Sequence, residues 1–327
     1  MRSLRVIEES WPIRGSFTIS RGTKREAQVL VAQISEGAHT GRGECVPYGR
    51  YNETVASVRA QMEALASAIE AGMNRAELQQ ACPAGAARNA LDCALWDLEA
   101  RQSHIPVWRL AGLAQPRACV TAYTLSLDAP ETMAQAAANA RQFPLLKLKL
   151  GARAILESVT AVHRASPWAK LIIDANEAWD LALLQEVSPH LKALNAVLIE
   201  QPLPAGADDA LVGHDWPVPL CADESCHETG SLAGLSGKYG LVNIKLDKTG
   251  GLTGALALAR AAREMGFGVM VGCMVSTSLA MAPAMLLAGI ADYADLDGPL
   301  LLERDREGGL RSEPGGVLHP PGPAFWG

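Results

Sequence analysis

Aromatic residues are scarce, 5% of the 327 residues, so aliphatic side chains must fill whatever core the chain builds. It lacks a charge-free apolar stretch of about 18 residues, which excludes a membrane-spanning helix. The segment Met1-Arg2-Ser3-Leu4-Arg5-Val6-Ile7-Glu8-Glu9 has no uninterrupted apolar run, so no secretion signal is expected. No cysteine pair has CxxC spacing, and no His/Cys cluster has the spacing of a zinc site. The seven cysteines (Cys45, Cys82, Cys93, Cys119, Cys221, Cys226 and Cys273) are odd in number and lie mostly in apolar segments. They fit reduced thiols in a cytoplasmic protein better than a disulfide framework. No like-charge run exceeds a few residues, and the net charge of −6 argues against nucleic acid or an anionic membrane as partner.

What is present is a large aliphatic core, with 49% hydrophobic and 20% charged residues. The length suits a barrel with a further domain attached. Residues 1 to about 45 alternate apolar and polar, as in Gln28-Val29-Leu30-Val31-Ala32-Gln33-Ile34, and predict an antiparallel meander. From about 52 to 112 the period is helical, and residues 86–97 read as a buried helix. An α+β domain over residues 1–118 therefore precedes the barrel.

Beyond residue 118, six short apolar runs end in polar residues: Lys147/Lys149, Asp174, Glu200, Asp223, Lys245 and Asp295/Asp297. From Lys149 the steps are 25, 26, 23, 22 and 50 residues, and the last is a double step with Cys273-Met274 at its midpoint. Such a period is one strand, one helix and two short loops, the unit of a parallel barrel. Strands are expected near 119–125, 145–150, 170–174, 196–200, 218–222, 241–245, 268–272 and 293–296, with a clear helix over 252–265. Past Gly298-Pro299 no helical period remains, so the eighth helix is missing. The fold class is α/β, a modified (β/α)7β barrel over 119–299 whose tail, 300–327, returns to complete the capping domain.

Polar residues at the carboxyl ends of barrel strands share one mouth. Asp174, Glu200 and Asp223 end successive strands about 4.8 Å apart, close enough to meet around one ion. Hard oxygen donors without His or Cys suit Mg²⁺ or Mn²⁺. Any one of the three could instead cap the helix that follows it. Lys147 and Lys149 point to one face, the interior, and Lys245 lies on the strand diametrically opposite. Two opposed lysines beside a Lewis acid are what proton exchange at a carbon acid requires. Lys147 is placed to depress the pKa of Lys149 or to pair with a substrate oxygen.

Lys-x-Lys at 147–149, Asp-Ala-Asn at 174–176, Glu-Gln-Pro at 200–202, Ala-Asp-Glu-Ser at 222–225 and Asn-Ile-Lys at 243–245 stand in a recognisable order. In these motifs the chain resembles the enolase superfamily, in its muconate-lactonizing subgroup. The resemblance implies Mg²⁺ on Asp174, Glu200 and Asp223, with Lys149 and Lys245 as the acid/base pair. Asp295-Leu296-Asp297 resembles the Asp-x-Asp of the dipeptide epimerases, where the two acids would take a substrate ammonium. Arg21 matches the position that holds the glutamate side chain in those of L-Ala-D/L-Glu type, though Lys24 and Arg25 are near enough to do the same. Met274, at the end of strand seven, would shape the pocket. The implied activity is a two-base 1,1-proton transfer through an enediolate on a murein-derived dipeptide. Cycloisomerisation, o-succinylbenzoate formation and N-acylamino acid racemisation use the same lysines and acids, but their substrates have no ammonium for Asp295 and Asp297. The implied fold often assembles into homo-oligomers. Asp247 is expected to tune side-chain preference or to pair with Lys245 or Lys248.

Overall fold

A computed structural model describes residues 1–327. The first sheet is an antiparallel meander of β1 (Arg2–Ile19), β2 (Gly22–Glu36) and β3 (His39–Cys45), in that spatial order. Pairing of β1 with β2 slips between Pro12 and Phe17, next to a residue with no N–H to give to the ladder. Helices α1 (Val55–Ala64), α2 (Ala66–Glu70), α3 (Arg75–Ala81), α4 (Ala86–Ser103) and α5 (Val107–Leu110) follow. Thr54 with Ser57, and Asn74 with Glu77, form capping boxes that start α1 and α3. Fourteen of the eighteen residues of α4 are buried, because it packs on β3 on one side and on the barrel on the other. Gly41 of β3 permits the close approach: a Cβ there would lie 2.2 Å from the Ala94 carbonyl oxygen.

The second domain runs β4 (Cys119–Val120), β5 (Tyr123–Leu125), α6 (Pro130–Asn139), β6 (Leu145–Lys149), α7 (Ile155–Ala165), β7 (Lys170–Asp174), α8 (Leu181–Ala193) and β8 (Ala196–Glu200). It continues with β9 (Leu220–Ala222), β10 (Leu241–Ile244), α9 (Leu246–Thr249), α10 (Leu252–Glu264), β11 (Gly268–Val271), α11 (Ser278–Ala288) and β12 (Tyr293–Ala294). Strands β5 to β12 form one curled parallel sheet in chain order. Its two ends meet through a parallel bridge between Thr121 and Ala294, and the Ala122 N–H donates to the Ala294 carbonyl at 2.8 Å.

The architecture is the expected α/β barrel with a capping domain, with two local corrections. The first strand is not continuous over 119–125. The chain breaks at Thr121-Ala122, and β4 leaves the barrel to pair with the tail hairpin β13 (Arg311–Glu313) and β14 (Val317–His319). Also, the connections after β8 and β9 are 3₁₀ turns, Asp209–Leu211 and Thr229–Leu235, where the period suggested helices. Pro204, Gly206 and Gly213 in the first, and Gly230, Gly234 and Gly237 in the second, deny either segment a stable α-helix.

Along the tail, the Glu303 N–H donates to the Pro12 carbonyl at 2.9 Å. The Trp326 Nε1–H donates to the Arg42 carbonyl, and the Gly327 N–H to Asp97 Oδ1, each at 2.9 Å. Inside the barrel, Ala122, Leu145, Ile172, Leu198, Cys221 and Met270 form an aliphatic floor. Inward alternation along each strand then puts Lys147 and Lys149 above Leu145, Asp174 above Ile172 and Glu200 above Leu198.

Candidate active site

The polar layer above that floor is an ion-paired ring. Lys147 Nζ lies 2.7 Å from Glu200 Oε2, 2.7 Å from Asp295 Oδ2 and 3.2 Å from Asp174 Oδ2. Lys149 Nζ donates to Asp174 Oδ2 at 2.6 Å, and the two residues are exact partners in the β6–β7 register. Lys245 Nζ donates to Asp223 Oδ2, and Lys248 Nζ to Asp223 Oδ1, each at 2.6 Å. Asn243 Nδ2 holds Glu200 Oε1 at 2.7 Å. All of these side chains are buried.

Burial and pairing compete at every member of the ring. Burial alone would raise Asp174, but Lys149 and Lys147 outweigh it and hold that carboxyl at about 2. Asp223 is likewise held well below the carboxylate range, with Lys245 and Lys248 overcoming burial. Glu200 goes the other way, to about 7, because burial and the charge of Asp174 outweigh Lys147. Lys147 and Lys245 are both held above the usual lysine value, since their carboxylate partners outweigh the burial that pulls them down. The expectation that both catalytic amines fall toward neutrality is therefore not met at Lys245, which Asp223 keeps charged.

With the ammonium groups drawn into these pairs, no three acidic side chains converge as a ready set of cation ligands. The donor chemistry nonetheless fits a hard divalent ion. Asp174, Glu200 and Asp223 offer only oxygen, from adjacent strands, and the one partner of Glu200 Oε2 is the Lys147 ammonium, which faces it at 2.7 Å without hydrogen-bond alignment. Glu200 is also the acid with least cationic compensation, so a further positive charge there relieves the most repulsion.

Above the ring lies a cavity of about 390 Å³ between the two domains. Lys149, Lys245 and Asp223 form its base, and Asp297, Met274 and Arg21 stand in its wall. Lys147, Asp174, Glu200 and Asp295 lie beneath. Lys147 is 1% exposed and enclosed by three carboxylates, so in this arrangement it has no open face toward a substrate oxygen. Asp297 Oδ2 accepts the Thr124 N–H at 2.6 Å, and burial beside Asp295 pushes its carboxyl up to about 7. Asp295 Oδ1 has no hydrogen-bond donor. Met274 packs against Val29 and Val46, and Cys273 lines the same wall.

Arg21 reaches the cavity but is occupied. It donates to Glu224 Oε1 at 2.7 Å, to the Asn176 carbonyl at 2.9 Å and to Glu177 Oε2 at 3.1 Å. Lys24 lines the cavity with it, whereas Arg25 does not. Sequence reasoning missed Glu177, Arg50 and Tyr51. Arg50 forms a two-pronged pair with Glu177 at 2.7 Å on each prong, and Tyr51 lies in the wall. A separation of 127 residues leaves no local pattern for that pair. Glu224 was within reach, as the residue directly after Asp223. The expectation for Asp247 is corrected: it faces away from the cavity and accepts the Val46 N–H at 3.0 Å and Asn89 Nδ2–H at 2.8 Å. Its strand-end neighbour Lys248 pairs with Asp223 instead.

A capping meander closed over a parallel barrel, with three acids at successive strand ends flanked by lysines on either side, defines a barrel enzyme that works at its mouth. The chain belongs to the mandelate racemase / muconate lactonizing enzyme family: that family's N-terminal domain model matches residues 1–112, and the enolase C-terminal domain-like model matches residues 131–323. It is 47% identical to the L-Ala-D/L-Glu epimerase of Escherichia coli (strain K12), over 95% of this chain and 98% of that protein. It is 49% identical to an N-acetyl-D-glutamate racemase of Pseudoalteromonas sp, over 85% of this chain and 89% of that one. Among solved structures, an enolase family member from Agrobacterium tumefaciens with homology to dipeptide epimerases, described with bound sodium and L-Ala-L-Glu, superposes with a TM-score of 0.97 at 49% identity over 100% of both chains.

Proposed function

We propose that this chain is a dipeptide epimerase of L-Ala-D/L-Glu type that inverts the α-carbon of the carboxy-terminal residue by a two-base 1,1-proton transfer. The observation that carries the reading is that Lys149 and Lys245, on opposed strands, both open onto the base of one cavity with Asp223 between them. Lys149 takes the α-proton of one epimer, and Lys245, held as an ammonium by Asp223, delivers a proton to the other face. For the opposite epimer the roles exchange. Mg²⁺, or Mn²⁺, on Asp174, Glu200 and Asp223 would supply the positive charge that a substrate carboxylate needs as the adjacent C–H ionises. Lys147 holds Asp174, Glu200 and Asp295 in register beneath. Asp297, with Asp295 behind it, suits a free ammonium. Arg21 suits a glutamate side chain, which would take the place of Glu224 or Glu177 on the guanidinium.

The identity to the Escherichia coli epimerase supports the dipeptide reading and a place in murein peptide recycling. Seven unpaired thiols, and the lack of any helix long and apolar enough to cross a membrane, support a cytoplasmic setting. The Pseudoalteromonas relative favours a second reading, racemisation of N-acetylglutamate, which shares the glutamate end of the substrate but has no ammonium. Proton NMR in D₂O separates the two. L-Ala-L-Glu should turn over well ahead of N-acetyl-L-Glu and of N-acetyl-L-Ala-L-Glu, and equal turnover would sink the dipeptide reading. Chelation should abolish turnover and added Mg²⁺ restore it; activity indifferent to a chelator would remove the metal from the scheme.

A further inference from the structure

Lys245 and Lys149 are seated differently. The turn after Lys149 is held from within the barrel, where the Leu150 N–H donates to the Asp174 carbonyl and Trp179 Nε1–H to the Gly151 carbonyl, each at 2.9 Å. The turn after Lys245 is held by the other domain. Lys245 is the N-cap of the single-turn helix α9, and its carbonyl accepts the N–H groups of Lys248 and Thr249 at 3.0 Å. The capping-domain helix α4 lies directly on this turn. Arg88 Nη2 donates to the Thr249 carbonyl at 2.9 Å, and Asp92 accepts the Thr253 N–H at 2.9 Å and its hydroxyl at 2.6 Å. The seat needs bare backbone. A Cβ on Gly250 would lie 2.2 Å from Arg88 Nε, one on Gly251 would lie 2.5 Å from Asp92 Oδ2, and φ is +70° and +102° at the two.

At the centre of this seam is the Asn89–Asp247 contact, with 2% and 6% exposure. Asp247 Oδ1 receives Asn89 Nδ2–H at 2.8 Å and the Val46 N–H at 3.0 Å. Asn89 also accepts from the Cys93 thiol at 3.3 Å, which fixes its amide orientation. Asp247 is two residues from Lys245 within one helical turn, so the position of its carboxylate sets the position of the Lys245 backbone. Val46, on the other side of the contact, lines the cavity.

We propose that Asn89 of the capping domain is a positioning residue for Lys245, acting through the carboxylate of Asp247. It touches no substrate; it fixes from which point one of the two amines reaches the α-carbon. The proposal rests on the two-base reading above and predicts an asymmetry that general loosening of the fold does not produce. In Asn89→Leu, removal of the α-proton by Lys149 and its replacement by solvent deuterium should persist in one epimer. Delivery by Lys245 should fall, together with exchange of the other epimer.

The experiment follows α-proton exchange and epimerisation in D₂O from each epimer of L-Ala-Glu, with Lys149→Ala and Lys245→Ala fixing which lysine serves which epimer. The ratio of exchange to epimerisation is independent of the folded fraction, so a poorly folding variant remains informative, and Asn89→Ala gives a second one. We expect that ratio to rise about tenfold to a hundredfold for the Lys149-facing epimer, and to return toward the wild-type value when Asn89→Asp is combined with Asp247→Asn, which rebuilds the hydrogen bond with donor and acceptor exchanged. Equal loss of both exchanges and of epimerisation, or no recovery in the swapped pair, would overturn the positioning role. If the wild-type protein epimerises nothing, or the two lysine variants show no complementary exchange, the functional reading itself fails and takes this one with it.

Discussion

The charges at the strand ends and the charges on the capping domain face the same cavity but are built differently. Lys147, Lys149, Lys245 and Lys248 stand on strands or strand-end turns, are 7% exposed or less, and hold carboxylates at about 2.6 to 2.7 Å. Arg21 stands on the turn between β1 and β2 and Arg50 on the 3₁₀ turn Gly49–Tyr51, with side chains 28% and 37% exposed, and they share Glu177. In the buried ring each ion has been desolvated during folding and has little freedom to reorganise, which suits groups that must present a proton at a fixed point. At the rim, water reaches the guanidinium side of each pair, although Glu177 and Glu224 are themselves 8% and 1% exposed, and a partly solvated arginine lowers the cost of exchanging one carboxylate for another. The ring is suited to chemistry and the rim to choosing a substrate.

The sharpest way to break that division is at the lysines. Lys149→Ala and Lys245→Ala should each lower epimerisation by about a hundredfold to ten-thousandfold, while each keeps solvent exchange of one epimer. Either variant epimerising at the wild-type rate by proton NMR would dissolve the two-base scheme. The rim should respond in KM rather than kcat. Arg21→Met is expected to raise KM for L-Ala-L-Glu about tenfold to a hundredfold, the worth of one charge-assisted hydrogen bond, and to leave L-Ala-L-Ala nearly unchanged. A matching rise for both dipeptides would mean that Arg21 supports the loop and does not read the side chain.

The smallest effect concerns stability alone, at the seam joining the two regions. Burial pushes Asp92 up to about 6, against the hydrogen bonds it accepts from Thr253. A carboxyl raised on folding stabilises the protein most below its unfolded value, near pH 3.9, and that contribution is lost as pH rises through about 6. Asp92→Asn removes the titration, so its thermal midpoint relative to wild type should improve between about pH 4 and pH 7. A difference flat across that window would show that Asp92 titrates as it does in the unfolded chain.

The ring was legible and the rim largely was not, for a physical reason. Lys149, Asp174, Glu200, Asp223 and Lys245 recur at the period of a strand–helix unit, and inward alternation along each strand fixes which way they point. Arg50 and Glu177 meet only because one domain docks on the other, and neither segment carries a repeat. Asp247 shows the same limit. Beside the strand-six lysine it read as a residue of the mouth, yet α4 covers it and turns it into part of the seam. The split first strand and the 3₁₀ connections were missed because the tail competes for Cys119-Val120, and because glycines shortened elements that spacing alone could only place.

The barrel closes through a narrow join. Where β5 and β12 meet, a single bridge, with the Ala122 N–H on the Ala294 carbonyl, and two contacts to side chains, from Leu296 N–H to the Thr121 hydroxyl and from Thr124 N–H to Asp297 Oδ2, do the work that a full ladder does elsewhere. Asp295 and Asp297 sit just past that stitch, so the wall proposed for the amino end of a substrate hangs on the join with the fewest paired residues in the ring of strands. The side proposed for the carboxyl end rests on the longer ladders of β6, β7 and β8, unbroken between β6 and β7 and with one slip, at Leu171 and Ile172, between β7 and β8. On the proposed binding mode, the amino-end wall is the one expected to yield first to guests of different girth.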